Sequence, residues 1–104
     1  MERQKLFIYS TLKSTLVQLA LFGRTLPMTQ GYLNNYETFS RGDGNYLLMP
    51  KEGAKVLGSV VELSGEEMQI ADAWKDESGF SRKEMPIVCQ GQEVMAWVYA
   101  GGKE

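Results

Sequence analysis

The stretch Lys5-Leu6-Phe7-Ile8-Tyr9-Ser10-Thr11-Leu12, near the start of the chain, decides the fold. Its apolar and aromatic run from Leu6 to Tyr9 predicts a short strand that is buried on both faces. The hydroxyl residues Ser10 and Thr11 then predict a turn whose backbone N–H groups are left out of the sheet. Amides that point the same way at the end of a strand can bind a carboxylate or another anion. We therefore expect the first ligand contacts at this turn, although a plain strand end would give the same pattern.

Length and composition indicate one globular domain that spans residues 1–104. Of the 104 residues, 43% are hydrophobic and 23% are charged, a balance typical of a folded domain rather than a disordered chain. The net charge is −2 and both signs are interspersed along the sequence. A nucleic-acid-binding surface normally carries a basic stripe, so we expect no nucleic-acid partner.

The scarcity of cysteine and histidine limits the chemistry that the chain can perform. Cys89 is the single cysteine and there is no histidine, which excludes an internal disulfide, a zinc site of the usual nitrogen and sulfur ligands, and a histidine-based triad. We expect no metal, no cofactor and a cytoplasmic location. The segment 6–22 is apolar on average, but Lys13 and several hydroxyl residues interrupt it. It therefore predicts neither a signal peptide nor a membrane span.

The first of two predicted helices follows the turn. Ser14 is placed to cap its N-terminus, and Gly23 is placed to end it. Leu16, Leu19 and Ala20 fall on one stripe of this helix. We expect that stripe to pack against the sheet.

The second helix has the clearest local signal in the chain. Ser64-Gly65-Glu66-Glu67 matches a capping box, in which the serine and the second glutamate satisfy each other's backbone amides, with Leu63 and Met68 as a hydrophobic staple. Met68, Ala71 and Trp74 share one face of the helix, which ends near Lys75.

The rest of the chain predicts strands and turns. A glycine inside a strand suggests a bulge or the close approach of another group, and Gly58 has such a position. The glycine-rich residues 41–44 and 51–53 predict turns. The predicted strands are Asn45–Met49, Lys55–Leu63, Ser81–Cys89 and Glu93–Ala100.

Five of these segments, in this order, resemble the γ-glutamylcyclotransferase-like family. Its members open with a strand that ends in Tyr-Gly-Ser/Thr-Leu, and later carry a glycine-bearing strand, a Leu-Asp-x-Tyr-Glu helix end, a Tyr-x-Arg and an Ala-x-Val-Tyr. The similar segments here are Tyr9-Ser10-Thr11-Leu12, Val56–Glu62, Ala71-Asp72-Ala73-Trp74-Lys75, Phe80-Ser81-Arg82 and Ala96-Trp97-Val98-Tyr99. The resemblance implies an α+β fold: a small, mostly antiparallel or mixed β-barrel with two helices and a cavity at the first turn.

The resemblance also implies a reaction. Family enzymes release 5-oxoproline from γ-glutamyl amines or amides, because the α-amino group of the substrate attacks its own γ-carbonyl. The first turn would hold the substrate's carboxylate, and the glutamate of Leu-Asp-x-Tyr-Glu would move the proton. The position aligned with that glutamate is Lys75, and Ser10 stands where the family has glycine.

Several roles therefore stay open for the residues near the aligned glutamate. Lys75 is a solvated lysine at a helix end, a cation that faces an anionic ligand, or the group that moves the proton. A small shift of the loop would instead bring Asp76 or Glu77 into the site as a base. Phe80 is expected in the core or in the wall of the cavity, and Arg82 in a surface ion pair or at the mouth of the pocket.

Three functional hypotheses follow. The first is a cyclotransferase-like protein that binds a small γ-glutamyl or other carboxylate-bearing metabolite, with altered or lost activity. The second is an active cyclotransferase. The third is a non-catalytic domain that dimerises through an edge strand or through exposed aromatic residues such as Trp97 and Tyr99, so the chain is expected as a monomer or a homodimer.

Overall fold

A computed structural model of the protein describes residues 3–40, 42, 46–77 and 79–101, without the side chain of Thr11. Within these residues, five strands close into a barrel in the order β1-β3-β2-β4-β5, and two helices accompany it. The predicted α+β fold is thus confirmed. The elements are β1 (Gln4–Ile8), a 3-10 turn (Thr11–Lys13), α1 (Thr15–Phe22), β2 (Thr29–Ser40), β3 (Tyr46–Leu63), α2 (Gly65–Asp76), β4 (Phe80–Cys89) and β5 (Gln92–Gly101).

Strand β1 holds the barrel together and separates two hydrophobic clusters. It pairs antiparallel with β3 and parallel with β5, where Leu6 lies opposite Trp97. Leu6, Phe7 and Ile8 are all buried, which confirms that both faces of the strand are covered. Side chains alternate across a strand, so Phe7 packs inside the barrel while Leu6 and Ile8 pack on its outer side.

The two clusters lie in different parts of the molecule and consist of different residues. The inner cluster fills the barrel and contains Phe7, Leu33, Leu48, Val56, Val60, Met85, Ile87, Ala96 and Val98. The outer cluster joins the barrel to α2 and contains Leu6, Ile8, Leu12, Leu26, Val61, Leu63, Met68, Ala71, Phe80 and Tyr99. The candidate site lies at the outer cluster, because the end of β1 and the end of α2 meet there.

Gly58 lies in close approach to β1, as its position inside a strand suggested. A Cβ atom at this residue would overlap the carbonyl oxygen of Ile8 and would lie 2.7 Å from Cζ of Phe7. Its cross-strand partner in β2 is another glycine, Gly31. The aromatic ring of Phe7 occupies the space that a side chain at position 58 would take.

The middle of the chain forms one long hairpin, so the predicted turn at 51–53 between two strands is wrong. Strand β3 runs without interruption past Pro50 and Gly53, because β2 is long enough to pair with both of its halves. The turn residues form a bulge opposite Asn35, which has φ 69° and whose Oδ1 accepts a hydrogen bond from the Gly53 N–H at 3.1 Å. The predicted turn at 41–44 lies outside the described residues except for Gly42.

Helix α1 has the predicted ends but the opposite buried face. Ser14 caps it and Gly23 ends it in the left-handed conformation, whereas Leu16 and Leu19 are 77% and 48% exposed. The predicted packing stripe is therefore wrong. The helix is oriented by Gln18, which is fully buried and hydrogen-bonded to the chain on both sides of the helix. The residues that pack with it against the core are Val17, Leu21 and Phe22.

Helix α2 begins with the predicted capping box. Glu67 N–H donates to Ser64 Oγ at 3.2 Å, and Ser64 N–H donates to Glu67 Oε1 at 3.0 Å. Arg24, which follows α1, donates two further hydrogen bonds to the same carboxylate at 2.8 and 2.9 Å. Glu67 thus ties the two helices together. No helix among the described residues is long and apolar enough to cross a bilayer.

Acid should weaken this link between the helices. The hydrogen bond from Arg24 lowers the pKa of Glu67 from 4.5 to about 2. A carboxyl with a lowered pKa in the folded state gives stability that is present above its unfolded pKa and is lost as the pH falls toward the folded one. Between about pH 4.5 and 2 we expect the wild type to lose about 1–2 kcal/mol more than Glu67→Gln, a modest value because Arg24 is partly exposed.

Urea denaturation across this pH range measures the difference. The variant Glu66→Gln, at an exposed neighbouring position, should follow the wild type. Parallel curves for the wild type and Glu67→Gln would contradict the expectation.

Candidate functional site

The turn after β1 contains a backbone hydrogen bond of its own. Lys13 N–H donates to the carbonyl oxygen of Ser10 at 3.0 Å, which makes one turn of 3-10 helix. The first N–H groups of such a turn have no partner within it. Tyr9 and Ser10 are half-buried and Leu12 is buried, so the predicted ligand-binding residues lie partly below the surface.

A small cavity lies beside this turn. Its volume is about 10 Å³, which is about the room that one buried water molecule needs. The structure therefore brings the first turn and Lys75 together, as the family resemblance implies, around a narrow hollow. The residues that line it are Phe7, Ile8, Tyr9, Ser10, Leu12, Lys75 and Tyr99.

Lys75 is a buried residue in the wall of this hollow. It is only 5% exposed, and its Nζ lies 4.5 Å from the centre of the Phe80 ring and 5.5 Å from that of the Trp74 ring. The interpretation of Lys75 as a solvated lysine at a helix end is therefore wrong. Met68, Ala71 and Lys75 follow helical spacing, so the stripe of α2 that faces the barrel continues to the last turn.

The two carboxylates that follow Lys75 point elsewhere. Asp76 and Glu77 are both exposed, and neither lines the cavity at the first turn. Asp76 lines an outer groove instead, and Glu77 is the C-cap of α2. The structure thus separates the predicted alternative bases from the turn.

Asp72, one turn before Asp76, forms a hydrogen-bond network that connects α2 to the barrel. Arg82 donates to both of its carboxylate oxygens, from Nε at 2.7 Å and from Nη2 at 2.8 Å. The Tyr99 hydroxyl donates to Asp72 Oδ1 at 2.6 Å, and the Tyr9 hydroxyl donates to the backbone carbonyl of Tyr99 at 2.6 Å. Two tyrosines of the cavity wall are therefore fixed by this network.

The charges in the network fix its protonation. Burial raises the pKa of Asp72, but the hydrogen bonds from Arg82 and Tyr99 outweigh burial and hold this pKa below its ordinary value. Burial and the hydrogen bond to Asp72 raise the pKa of Tyr99 well above its usual range, and burial does the same for Tyr9. At neutral pH both tyrosines keep their protons and Asp72 stays ionised.

An outer groove of about 490 Å³ lies between α2 and the ends of β4 and β5. Arg82 stacks on the Trp97 ring there, with its guanidinium carbon 4.5 Å from the ring centre. The predicted ligand-contact residues Phe80 and Arg82 thus line this groove rather than the cavity. Its lining residues are Asp72, Ala73, Asp76, Phe80, Ser81, Arg82 and Trp97.

Some site residues were missed or misplaced by sequence reasoning. Tyr99 is not an exposed aromatic residue, since it is 3% exposed and packs in the outer cluster, and Arg82 covers Trp97. The exposed-aromatic form of the dimer hypothesis is therefore wrong for Tyr99, because α2 covers that face of β5. Gln18, which donates a hydrogen bond to the Leu12 carbonyl, could be recognised in the sequence only as a polar residue in an apolar helix.

A comparison with protein-family models decides the family. Residues 6–104 match the model described as gamma-glutamyl cyclotransferase, AIG2-like. The chain belongs to this family. A comparison with curated proteins gave no match. The family resemblance in the sequence is thus confirmed.

Solved structures share the cyclotransferase fold at low sequence identity. A solution structure from Arabidopsis thaliana superposes with a TM-score of 0.83 at 18% identity over 97% of the chain, and the chain spans 63% of that protein. A gamma-glutamyl cyclotransferase gives 0.80 at 16% identity, with coverage of 97% of this chain and 68% of the other. An AIG2-like protein from Mus musculus gives 0.81 at 19% identity, with 98% and 79% covered. These likenesses establish the fold alone.

Proposed function

We propose that this member of the cyclotransferase family binds a small γ-glutamyl or other carboxylate-bearing molecule at the first turn and lacks cyclotransferase activity. One observation carries the proposal: Lys75, which the sequence resemblance aligns with the family glutamate, is buried and lines the cavity beside Ser10. An ammonium group attracts a carboxylate, and the attraction is stronger where water is excluded.

The same substitution supports the loss of proton transfer. Cyclisation requires a group that accepts a proton from the substrate's amine near neutral pH. Among the described residues, the cavity wall contains no carboxylate. Tyr99 retains its own proton, since its pKa is raised, and Asp72 is hydrogen-bonded to Arg82 and Tyr99 outside the cavity. The position of Asp76 and Glu77 gives no support to the alternative of an active enzyme.

The small volume of the hollow means that it must widen before a ligand can enter. A γ-glutamyl group is far larger than the single water that the cavity holds as it stands. The lysine side chain is a flexible four-carbon stem that carries a compact charge. Movement of this stem would widen the cavity and keep the ammonium beside the entering carboxylate.

Binding of γ-glutamyl-alanine and release of 5-oxoproline test the proposal together. We expect the wild type to bind the dipeptide and to release no 5-oxoproline. The matched-length change Lys75→Met should weaken binding by about tenfold or more, because a hydrogen bond to a charged group contributes about 1.5–3 kcal/mol. Calorimetry or NMR titration measures the affinity, and product chromatography detects 5-oxoproline.

Two controls complete this test. Lys83→Met removes an exposed lysine of β4 and should leave the affinity unchanged. Lys75→Glu should give slow release of 5-oxoproline, whereas Lys75→Gln should not. Equal affinity in the wild type and Lys75→Met would refute the role of Lys75, and 5-oxoproline from the wild type would establish the active enzyme instead.

A further inference from the structure

Gln18 is a fully buried amide in α1 that is hydrogen-bonded at both ends. Its Nε2 donates to the carbonyl oxygen of Leu12 at 2.8 Å, and its Oε1 accepts from the Leu26 N–H at 2.8 Å. Leu12 ends the apolar wall of the cavity, and Leu26 precedes β2. One side chain thus connects the first turn to the segment that leads back into the barrel.

The burial of this amide indicates a specific role. A buried amide without partners costs about 1–3 kcal/mol, so a polar residue on the packing face of a short helix persists only with both ends satisfied. Apolar residues of α1 already supply its contact with the core, as Val17 and Leu21 do. What Gln18 adds is directional: it fixes the Leu12 carbonyl and, with it, the orientation of the preceding peptide groups.

We propose that Gln18 is the positioning residue of the ligand site: its amide holds the Ser10–Lys13 turn in the orientation that lines the cavity. Gln18 does not line the cavity itself and acts through the Leu12 carbonyl. The turn has a backbone hydrogen bond of its own, from Lys13 to Ser10, and the bond from Gln18 to the Leu12 carbonyl adds a tether to α1 that fixes where the N–H groups of the turn point. The expected effect of Gln18 on ligand affinity rests on the proposed function, whereas its expected effect on the orientation of the turn does not.

The variant Gln18→Glu provides the sharpest test, because its protonation controls one of the two hydrogen bonds. A carboxylate at this position can still accept from Leu26 N–H but has no proton for the Leu12 carbonyl. A protonated carboxyl can make both bonds, and burial favours the protonated form. We expect the affinity for γ-glutamyl-alanine to be about tenfold lower than in the wild type near pH 7 and to recover toward about pH 5.

Two comparisons separate positioning from mere stabilisation. The wild type should show no such recovery between these pH values, and Gln18→Met, which can make neither bond, should bind weakly at both. Amide hydrogen exchange gives a readout without ligand: Lys13, whose N–H is hydrogen-bonded to Ser10, should exchange about tenfold faster in Gln18→Met, while β3 and α2 stay protected. If Gln18→Met does not fold, the affinity and the hydrogen exchange of Gln18→Glu, measured across the same pH range, provide the test.

The outcomes distinguish the two proposals. Failure of the wild type to bind, together with pH-dependent protection of the turn in Gln18→Glu, would refute the proposed ligand and support the positioning of the turn by Gln18. Binding by the wild type, with equal affinity and equal exchange in both Gln18 variants, would overturn the inference about Gln18 alone.

Discussion

Replacement of Asp72 by alanine is expected to lower the free energy of unfolding by about 2–4 kcal/mol. The change removes two charge-assisted hydrogen bonds from Arg82 and one from the Tyr99 hydroxyl. Tyr99 is almost completely buried, so its hydroxyl would lose its carboxylate acceptor and keep only the weak contact with the Met68 sulfur at 4.0 Å. The range allows for the partial exposure of the ion pair itself, whose Asp72 side chain is 38% exposed.

Chemical denaturation of single and double variants measures this network. Glu84→Ala removes an exposed carboxylate from β4 and should change stability by less than about 0.5 kcal/mol. Tyr99→Phe removes only the hydroxyl, and the pair Asp72→Ala with Tyr99→Phe should cost less than the sum of the two changes. Strict additivity would show that the hydrogen bond between the two residues contributes nothing.

Replacement of Gly58 by alanine is expected to cost about 3 kcal/mol, which is at the upper end for an added methyl group. The new Cβ would meet the backbone carbonyl of Ile8 and the ring of Phe7 at once. A carbonyl within a paired strand cannot rotate away, and Phe7 is enclosed in the barrel cluster. The strain must therefore move β1, the strand that leads into the first turn.

Gly65→Ala is the matched control, because a Cβ at that position meets no atom within 4 Å. It lies in the first turn of α2, where alanine should be neutral or slightly stabilising. Thermal unfolding of both variants, with circular dichroism to verify the folded state, gives the comparison. A loss in Gly58→Ala no greater than in Gly65→Ala would mean that β1 and β3 have room to separate.

The parts of the fold that depend on local chemistry could be predicted from the sequence. Ser64 and Glu67 satisfy each other within one turn of chain, and the apolar run 6–8 can be stable only when both of its faces are covered. The glycine at position 58 likewise indicated that another group approaches it closely. Each of these signals is contained in a few neighbouring residues.

The parts that depend on distant residues could not be predicted in this way. The predicted packing stripe of α1 is exposed, because the hydrogen bonds of Gln18 to Leu12 and Leu26 orient the helix. The segment with Pro50 and Gly53, which predicted a turn, forms a bulge within β3 because β2 continues opposite it. In both cases the residues that determine the structure lie outside the segment whose pattern gave the prediction.

The candidate site, like the fold, could be predicted from the sequence only in part. Motif order placed the first turn and Lys75 together, since both are aligned with family segments that meet in this fold. The burial of Lys75 depends on its packing against Phe80 of β4, and the small volume of the hollow depends on Tyr99 of β5, which lies far along the chain from the first turn. Sequence spacing contains no information about that packing.

The parallel contact between β1 and β5 has a consequence for biosynthesis. Leu6 pairs with Trp97, so the seam of the barrel joins the first strand to the last. During translation β1 leaves the ribosome well before β5, because β2, β3, β4 and both helices lie between them in the sequence. Non-local pairing of this kind is slow, and an unpaired apolar strand edge invites association with other chains. Pairing with β3 therefore protects one edge of β1 in the nascent chain, and the other edge stays unpaired until β5 closes the barrel.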